Sequence, residues 1–252
     1  MDTNSNVAAA AASVIGARHQ RAGRNGQDAA ATFVSDGVAV AVVCDGCSSG
    51  ASSEVGARLG ARWFAERLGH ALVAGASVAE CATWEASRRD VATRLRTIAE
   101  DSSSRYVDAQ AVHELLLFTI VAVAVTPDGA AVWALGDGAY GCDGLVRVLG
   151  PFADNAPPYV AYDLLGTPAD AHFEVLPATA RRIVIATDGA ADLDYDLAPF
   201  GAVSTANPDA LRRRLSVLAR GDDRIAWGEG RVHRTPAVLQ DDCAIAIVER
   251  LA

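Results

Sequence analysis

The sequence predicts a layered α+β domain. Three observations carry that prediction. The elements follow in the order strands, two helices, strands, helix, strand, so helices are grouped and do not alternate with strands. The apolar runs change from helical to alternating period near the middle of the chain. No stretch has the composition of a linker or of a repeat, so residues 1–252 read as one domain.

The first segment, 12–46, reads as two or three strands broken at Gly23–Gly26 and at Asp36-Gly37, the second break being a tight hairpin signal. A helix is expected from about Ser53. Glu54, Arg58, Arg62 and Glu66 form its polar stripe, with Leu59, Trp63, Phe64 and Leu68 opposite. Gly56 and Gly60 fall on the apolar side and would let a neighbour approach closely. A second helix is expected from about Ser77 to Glu100, with Ser77 and Glu80 at capping-box spacing. Cys81, Trp84, Val91, Leu95 and Ile98 mark its buried face, and Arg88 interrupts it. Three strands of an antiparallel meander follow over 116–150, punctuated by Asp128-Gly129 and Asp143-Gly144. The proline-containing stretch 152–171 reads as a loop too irregular for the core. Then come a strand at 181–189, a helix entered through Asn207-Pro208, and a closing strand at 243–251.

The formal net charge of −9 argues against nucleic acid or an anionic membrane as the main partner. No apolar segment approaches the roughly 20 residues of a membrane helix. The N-terminal stretch has no basic region before its alanines, so it reads as no signal peptide. Five scattered cysteines suggest reduced thiols and a cytoplasmic location. The acidic character is compatible with a monomer.

The chemistry lies in the carboxylates. Asp45 ends "VAVVCDG", Asp137 ends "VWALGDG" and Asp188 ends "IVIATDG", while Asp241 and Asp242 stand just before "CAIAIV". Each puts a carboxylate at the end of an apolar strand. A lone Asp-Gly is most often only a turn. Repetition after buried strands is different, because converging carboxylates repel unless protonated or neutralised by a cation. Hard divalent cations such as Mg²⁺ and Mn²⁺ suit oxygen ligands. Zinc fits poorly: the five histidines show no paired spacing, and Cys44-x-x-Cys47 has no second pair. On a strand, Cys44 should face the core if Asp45 faces a cleft. Nucleophile-elbow, P-loop and dinucleotide motifs are absent. A carboxylate-held binuclear metal centre acting on a phosphoryl group remains.

These residues resemble the metal-dependent serine/threonine protein phosphatases of the 2C type, a bacterial subgroup above all. The resemblance runs in order through "GARHQRAGRNGQDA" (16–29), "CDGCSSGASSEVGARLGA" (44–61), "ALGDGAYG" (134–141), "IATDGAADL" (185–193) and "QDDCAIAIV" (240–248). It implies a four-layer α-β-β-α sandwich, two antiparallel sheets face to face with helices outside. It implies that Asp45 bridges two Mn²⁺ or Mg²⁺ ions, with the Gly46 carbonyl on one and Asp188 and Asp241 on the other. Asp28 would orient water, and Asp137 with Asp188 would form a weaker third site. Asp242 reads as a support residue. The substrate implied is a phosphorylated protein, hydrolysed at phosphoserine or phosphothreonine by metal-activated water.

The departures are specific. Cys47 stands where some relatives have a histidine after Asp-Gly. Gly138-Ala139 replaces Ser-Arg, and no arginine is clearly placed for the phosphate. Arg18, Arg21 and Arg24 read as a solvated loop, and His19 as structural. The stretch 154–166 could be a substrate-side flap carrying Tyr159 and Tyr162, or a proline-fixed loop whose tyrosines cover a sheet edge; the residues do not separate the two. Cys47 and the missing arginine motivate an alternative, a catalytically inactive relative that binds a phosphoprotein or regulator. Hydrolysis of a small phosphomonoester is a third reading.

Overall fold

The computed structural model describes residues 6–101 and 107–251. Residues 1–5, part of the stretch read as no signal peptide, lie outside them. In chain order the strands are β1 (Val7–Val14), β2 (Ala29–Ser35), β3 (Val38–Cys44), β4 (Ile120–Thr126), β5 (Gly129–Leu135), β6 (Gly138–Cys142), β7 (Leu145–Leu149), β8 (His172–Val175), β9 (Arg182–Ala186), β10 (Asp222–Ala226), β11 (Arg231–Thr235) and β12 (Cys243–Arg250). The helices are α1 (Ala17–Ala22), α2 (Glu54–Val73), α3 (Cys81–Asp101), α4 (Ala109–Ala111), α5 (Ala198–Gly201) and α6 (Pro208–Leu218).

Two antiparallel sheets face one another. One has the order β1-β12-β9-β6-β7 and the other β2-β3-β4-β5-β8; β10 and β11 pair apart from both. Strand periodicity explains the layering. Along β3, Val38, Val40, Val42 and Cys44 point to the layer of α2 and α3, while Ala39, Ala41 and Val43 point between the sheets. That is why the run is apolar without alternation: both faces are buried. Ala244, Ala246 and Val248 of β12 meet them from the other sheet, and Ile245 and Ile247 face Phe200, Leu211 and Leu215 outside it. The four-layer α+β sandwich is therefore the observed architecture.

Gly60 on α2 has the close-approach role expected of it, since a Cβ there would overlap the Phe118 ring. Asn207 caps α6 by accepting from the Asp209 N–H at 3.2 Å. Cys44 is buried in the core, as the strand argument required.

Several expectations are corrected. The 116–150 region is not one meander. β4 and β5 pair in one sheet, β6 and β7 in the other, and the chain changes sheets at Gly136–Gly138, where both glycines have positive φ (100° and 128°). A hairpin turn and a sheet crossing look alike in sequence. The apolar run at 115–117 is not strand, because Val112–Leu116 form a turn of π-helix. α3 starts at Cys81, Ser77 and Glu80 forming a turn before it, and Cys81 is exposed. Glu54 leaves the polar stripe of α2: it is buried and accepts from Asn25 Nδ2 at 2.8 Å. The stretch 152–171 is not all peripheral, since Val160, Ala161 and Leu164, in a 3-10 helix, belong to the core. Arg88 explains its own intrusion on the apolar face of α3. It holds this segment with two bonds to Asp163, at 2.9 and 2.6 Å, and one to the Ala169 carbonyl at 2.8 Å.

Candidate active site

One end of the sandwich carries a cavity of ≈ 240 Å³. Asp28, Asp45, Asp137, Asp188, Asp241 and Asp242 line it. They arrive on five separate chain segments, Asp241 and Asp242 sharing one. Asp28 precedes β2 and Asp45 follows β3. Asp137 sits at the crossing between sheets, Asp188 follows β9, and Asp241 and Asp242 precede β12. Tight backbone packing holds these ends. The Thr119 N–H donates to the Asp45 carbonyl at 2.9 Å, and Cys47 N–H to the Leu117 carbonyl at 3.0 Å. A Cβ on Gly189 would overlap the Asp242 carbonyl, so only glycine lets the strand end carrying Asp188 lie against the start of β12.

Asp242 differs from the rest. Its carboxylate accepts from the Gly16 N–H at 2.7 Å and the Gln27 N–H at 2.6 Å, and His19 Nδ1 lies 2.7 Å away. It ties three segments together. Asp192 does similar work, accepting from the Gln240 and Asp241 N–H groups at 2.7 and 2.9 Å. Asp28 accepts from the Thr187 hydroxyl at 2.5 Å.

The remaining carboxylates face one another without a cation. Burial, then repulsion from Asp28 and Asp188, pushes the Asp45 carboxyl well above the usual range. Burial and the charges of Asp242 and Asp188 do the same to Asp28, against the opposing bond from Thr187. Asp188 is pushed up to about 6 by burial and by Asp137 and Asp241, and burial raises Asp137. Two buried oxygens on the cavity wall, Asp137 Oδ1 and Gln27 Oε1, have no hydrogen-bond partner.

These features fit a hard cation in donor chemistry: oxygens only, excess negative charge, and a buried carboxylate oxygen left open. The aspartates share the wall without being drawn onto one point, since among the described residues no three His, Cys, Asp or Glu side chains form a ready-made metal cluster. The Gly46 carbonyl receives no hydrogen bond among the described residues, and Gly46 also lines the cavity.

The rim is formed by Cys47, Ser48, Ser49, Pro157 and Tyr159. Cys47 Sγ is 3.1 Å from the Ser49 hydroxyl. Burial works to raise the Cys47 thiol, but hydrogen bonds from Ser49 and Tyr159 outweigh it and bring it below the ordinary value. Burial and that contact with Cys47 raise the Tyr159 phenol. Tyr162 is not on the wall; it packs edge-on against Tyr159, with ring centres 5.3 Å apart. Among the described residues no arginine lines the cavity. Arg24 bonds the Ser48 and Gly50 carbonyls, and Ser48 is on the rim.

Sequence reading gave no role to Gln27, Thr187 or Asp192. Gln27 and Thr187 each precede a cavity aspartate, which was the available signal. Asp192 offered none, because its partners lie 48 and 49 residues away.

Residues 15–219 match the sequence model of a family described as Protein phosphatase 2C. Among solved structures, the chain is similar to a serine/threonine phosphatase of S. agalactiae, with 17% identity over 96% of this chain and 99% of that one, at a TM-score of 0.60. It is similar to PppA, described as a key regulatory component of T6SS in Pseudomonas aeruginosa, with 16% identity, 96% and 97% coverage and a TM-score of 0.60. It is similar to the serine/threonine phosphatase Stp1 from Staphylococcus aureus, with 13% identity, 96% and 94% coverage and a TM-score of 0.60. At these identities the likenesses speak to the fold. No curated protein matches the sequence.

Proposed function

Because the chain belongs to the protein phosphatase 2C family, and so to a family of phosphoprotein phosphatases, we propose that it hydrolyses phosphoserine and phosphothreonine in proteins at a centre holding two Mn²⁺ or Mg²⁺ ions. The observation that carries this reading is the set of mutually repelling carboxylates gathered from both sheets into one cavity. Asp45, Asp188, Asp241 and the Gly46 carbonyl would hold the ions, with Asp137 and Asp188 as a weaker third site. Bound there, such ions supply charge neutralisation at the phosphoryl group and activation of water at neutral pH.

The chain's own residues have distinct tasks. Asp28, fixed by the Thr187 hydroxyl, can accept a proton from water and orient it toward phosphorus. Asp242, His19 and Gln27 keep the strand ends in register. Cys47 and Tyr159, hydrogen-bonded on the rim, are what this chain offers near the leaving oxygen in place of a histidine. Tyr159 would contact the substrate, and Tyr162 would act by buttressing it. Attack is direct, with no covalent enzyme intermediate. The whole chain would act as one domain and as a monomer. A cytoplasmic location is supported by five free cysteines. Among the described residues no helix is long and apolar enough to cross a membrane.

The test is hydrolysis of p-nitrophenyl phosphate and of a phosphothreonine peptide with EDTA, Mg²⁺ or Mn²⁺, beside Asp188→Asn. Wild-type turnover should require the added ion, and the variant should lose about 10³-fold, the scale of transition-state charge stabilisation by a metal. Equal turnover in the variant and the wild type would end the proposal. A second reading, phosphoprotein binding without turnover, is favoured by one observation: among the described residues no arginine lines the cavity. Saturable phosphopeptide binding with no turnover under any of these ions would select it.

A further inference from the structure

We propose that the Tyr159 hydroxyl is the proton donor to the oxygen that leaves phosphorus, and that the Cys47 sulfur is the acceptor that keeps this hydroxyl ready. The proposal rests on the phosphatase reading, under which both residues stand near that oxygen, and it gives them separate tasks.

The cavity itself separates the two ends of a substrate. The carboxylates that would hold the ions form its wall, and Cys47, Ser48, Ser49, Pro157 and Tyr159 form its rim. A phosphoryl group drawn to the ions lies among the carboxylates, while the rest of a protein substrate has to leave through the rim. The bridging oxygen joins the two and therefore lies on the rim side. Its proton has to come from there.

The rim side chains differ as donors. Ser48 and Ser49 are exposed, so water competes for their hydroxyls. The Cys47 thiol, 3.1 Å from the Ser49 hydroxyl, is a weak donor. Tyr159 is only 8% exposed, and its hydroxyl is hydrogen-bonded to the Cys47 sulfur. Sulfur is a weak acceptor. A phenol resting on it is held in place yet loses little when it turns to a better partner. An oxygen gaining negative charge as its bond to phosphorus breaks is such a partner.

The rest of Tyr159 is fixed. Its ring belongs to the core cluster of Val160 and Ala161 and meets the Tyr162 ring edge-on, with centres 5.3 Å apart. Pro157 and Pro158 restrict the backbone before it. The Pro158 carbonyl lies so close to Gly136 that a Cβ there would come within 3.1 Å of it. Gly136 precedes Asp137, so the donor segment packs directly on the sheet crossing that carries a cavity carboxylate. The Tyr159 carbonyl accepts from the Tyr162 N–H at 3.1 Å, and Arg88 holds the next turn through Asp163. A donor placed before the reaction, with little to reorganise, is what stabilises charge that develops only in the transition state.

The proton count closes. As the bond from phosphorus to the bridging oxygen breaks, its electron pair stays on that oxygen. The Tyr159 O–H bond breaks, and its proton goes to the same oxygen, which leaves as the serine or threonine alcohol. The phenolate takes a proton back from solvent water at the rim. The attacking water gives its own proton to Asp28, so one water is consumed for each alcohol and phosphate formed. An alkoxide is more basic than a phenolate, so the transfer from Tyr159 is favourable. Burial and the Cys47 contact raise the phenol, which keeps it protonated until then. The need for this donor grows with the basicity of the leaving oxygen: p-nitrophenolate departs readily without a proton, phenolate less so, and an alkoxide least.

The experiment measures kcat and KM of the wild type, Tyr159→Phe and Cys47→Ala under Mn²⁺ on p-nitrophenyl phosphate, phenyl phosphate and a phosphothreonine peptide. Tyr159→Phe keeps the ring and its packing, and thermal melting checks that the fold is retained. Its kcat should fall about 10²-fold on the peptide, about tenfold on phenyl phosphate and about threefold on p-nitrophenyl phosphate, the scale and order of lost general-acid catalysis. KM should change less than kcat. Cys47→Ala should show the same order with smaller losses, since the phenol remains but is no longer held. Equal losses of Tyr159→Phe on all three substrates, or losses confined to KM, would mean that Tyr159 only packs or binds, and would overturn the proposal. A steep dependence on the leaving oxygen in Cys47→Ala with a flat one in Tyr159→Phe would make the thiol the donor and overturn it too. A wild type inactive on all three substrates under Mn²⁺ and Mg²⁺ ends the phosphatase reading and the donor with it; an active wild type with uniform losses in the variants ends the donor alone.

Discussion

Asp163 and Asp45 are both carboxylates withdrawn from water, and they are treated in opposite ways. Asp163 receives two bonds from the buried Arg88 guanidinium, at 2.9 and 2.6 Å. Asp45 faces Asp28, Asp188 and Asp137, and among the described residues no cationic side chain bonds it. The first arrangement is what folding alone favours: a planar fork matched to a carboxylate, with the spare donor placed on the Ala169 carbonyl. The second is unfavourable to folding on its own. A fold that assembles it from five chain segments is holding charge ready for something that is not part of the chain.

Breaking the compensated pair should have the larger effect on stability. In Arg88→Met the aliphatic stem keeps its place on α3, but Asp163 loses its counter-charge. Removing one partner of a buried pair costs about 3 kcal/mol or more. Urea denaturation should show that loss with an unchanged slope. Because the 160–165 segment carries Tyr162 and follows Tyr159, KM for a phosphopeptide should also rise, while p-nitrophenyl phosphate is affected less. Unaltered stability in this variant would mean that Asp163 is solvated and that the contrast with Asp45 is false.

Asp242 lies between the two cases. It lines the acidic cavity, yet it is satisfied by backbone donors and His19. Asp242→Ala leaves the Gly16 and Gln27 N–H groups buried without an acceptor, at a cost of about 2 kcal/mol. Activity should fall with stability and recover partly on cooling, which a lost metal ligand would not do. Loss of Mn²⁺ affinity with native stability, measured by calorimetry, would move Asp242 to the Asp45 class.

The same contrast explains what could be read from the sequence. The uncompensated aspartates were legible, because each ends an apolar strand and is marked by a following glycine or a following strand. α2 and α6 were legible from period and cap. Arg88 was visible only as an intrusion, since its partner lies 75 residues away. The change of sheets at Asp137 was hidden, because glycine on both sides of an aspartate serves a hairpin equally well. α1 was missed because six residues are too few to show a period. The β10–β11 hairpin was missed for a physical reason: it buries no face, so its sequence has no buried-face alternation to detect.

The smallest effect is the most discriminating. Asp188→Asn, the variant expected to abolish turnover, should make the metal-free protein more stable. The Asp188 carboxyl is raised in the folded state from 3.8 to about 6, by burial and by Asp137 and Asp241. A folded-state value above the unfolded one means that the native state holds the proton more tightly. Stability linked to this group is therefore full below pH 3.8 and lost as pH rises through about 6. Asparagine cannot ionise, so it removes that loss. In EDTA at pH 7 the variant should melt higher, by about 1–2 kcal/mol, the scale found when a strained active site is relieved. Near pH 3.5 the two proteins should melt together. Added Mn²⁺ should reverse the order at pH 7, stabilising the wild type by mass action and the variant far less. A variant that is less stable than wild type in EDTA at pH 7 would show that Asp188 is compensated as Asp163 is, and would remove the physical ground for a cation at this end of the sandwich.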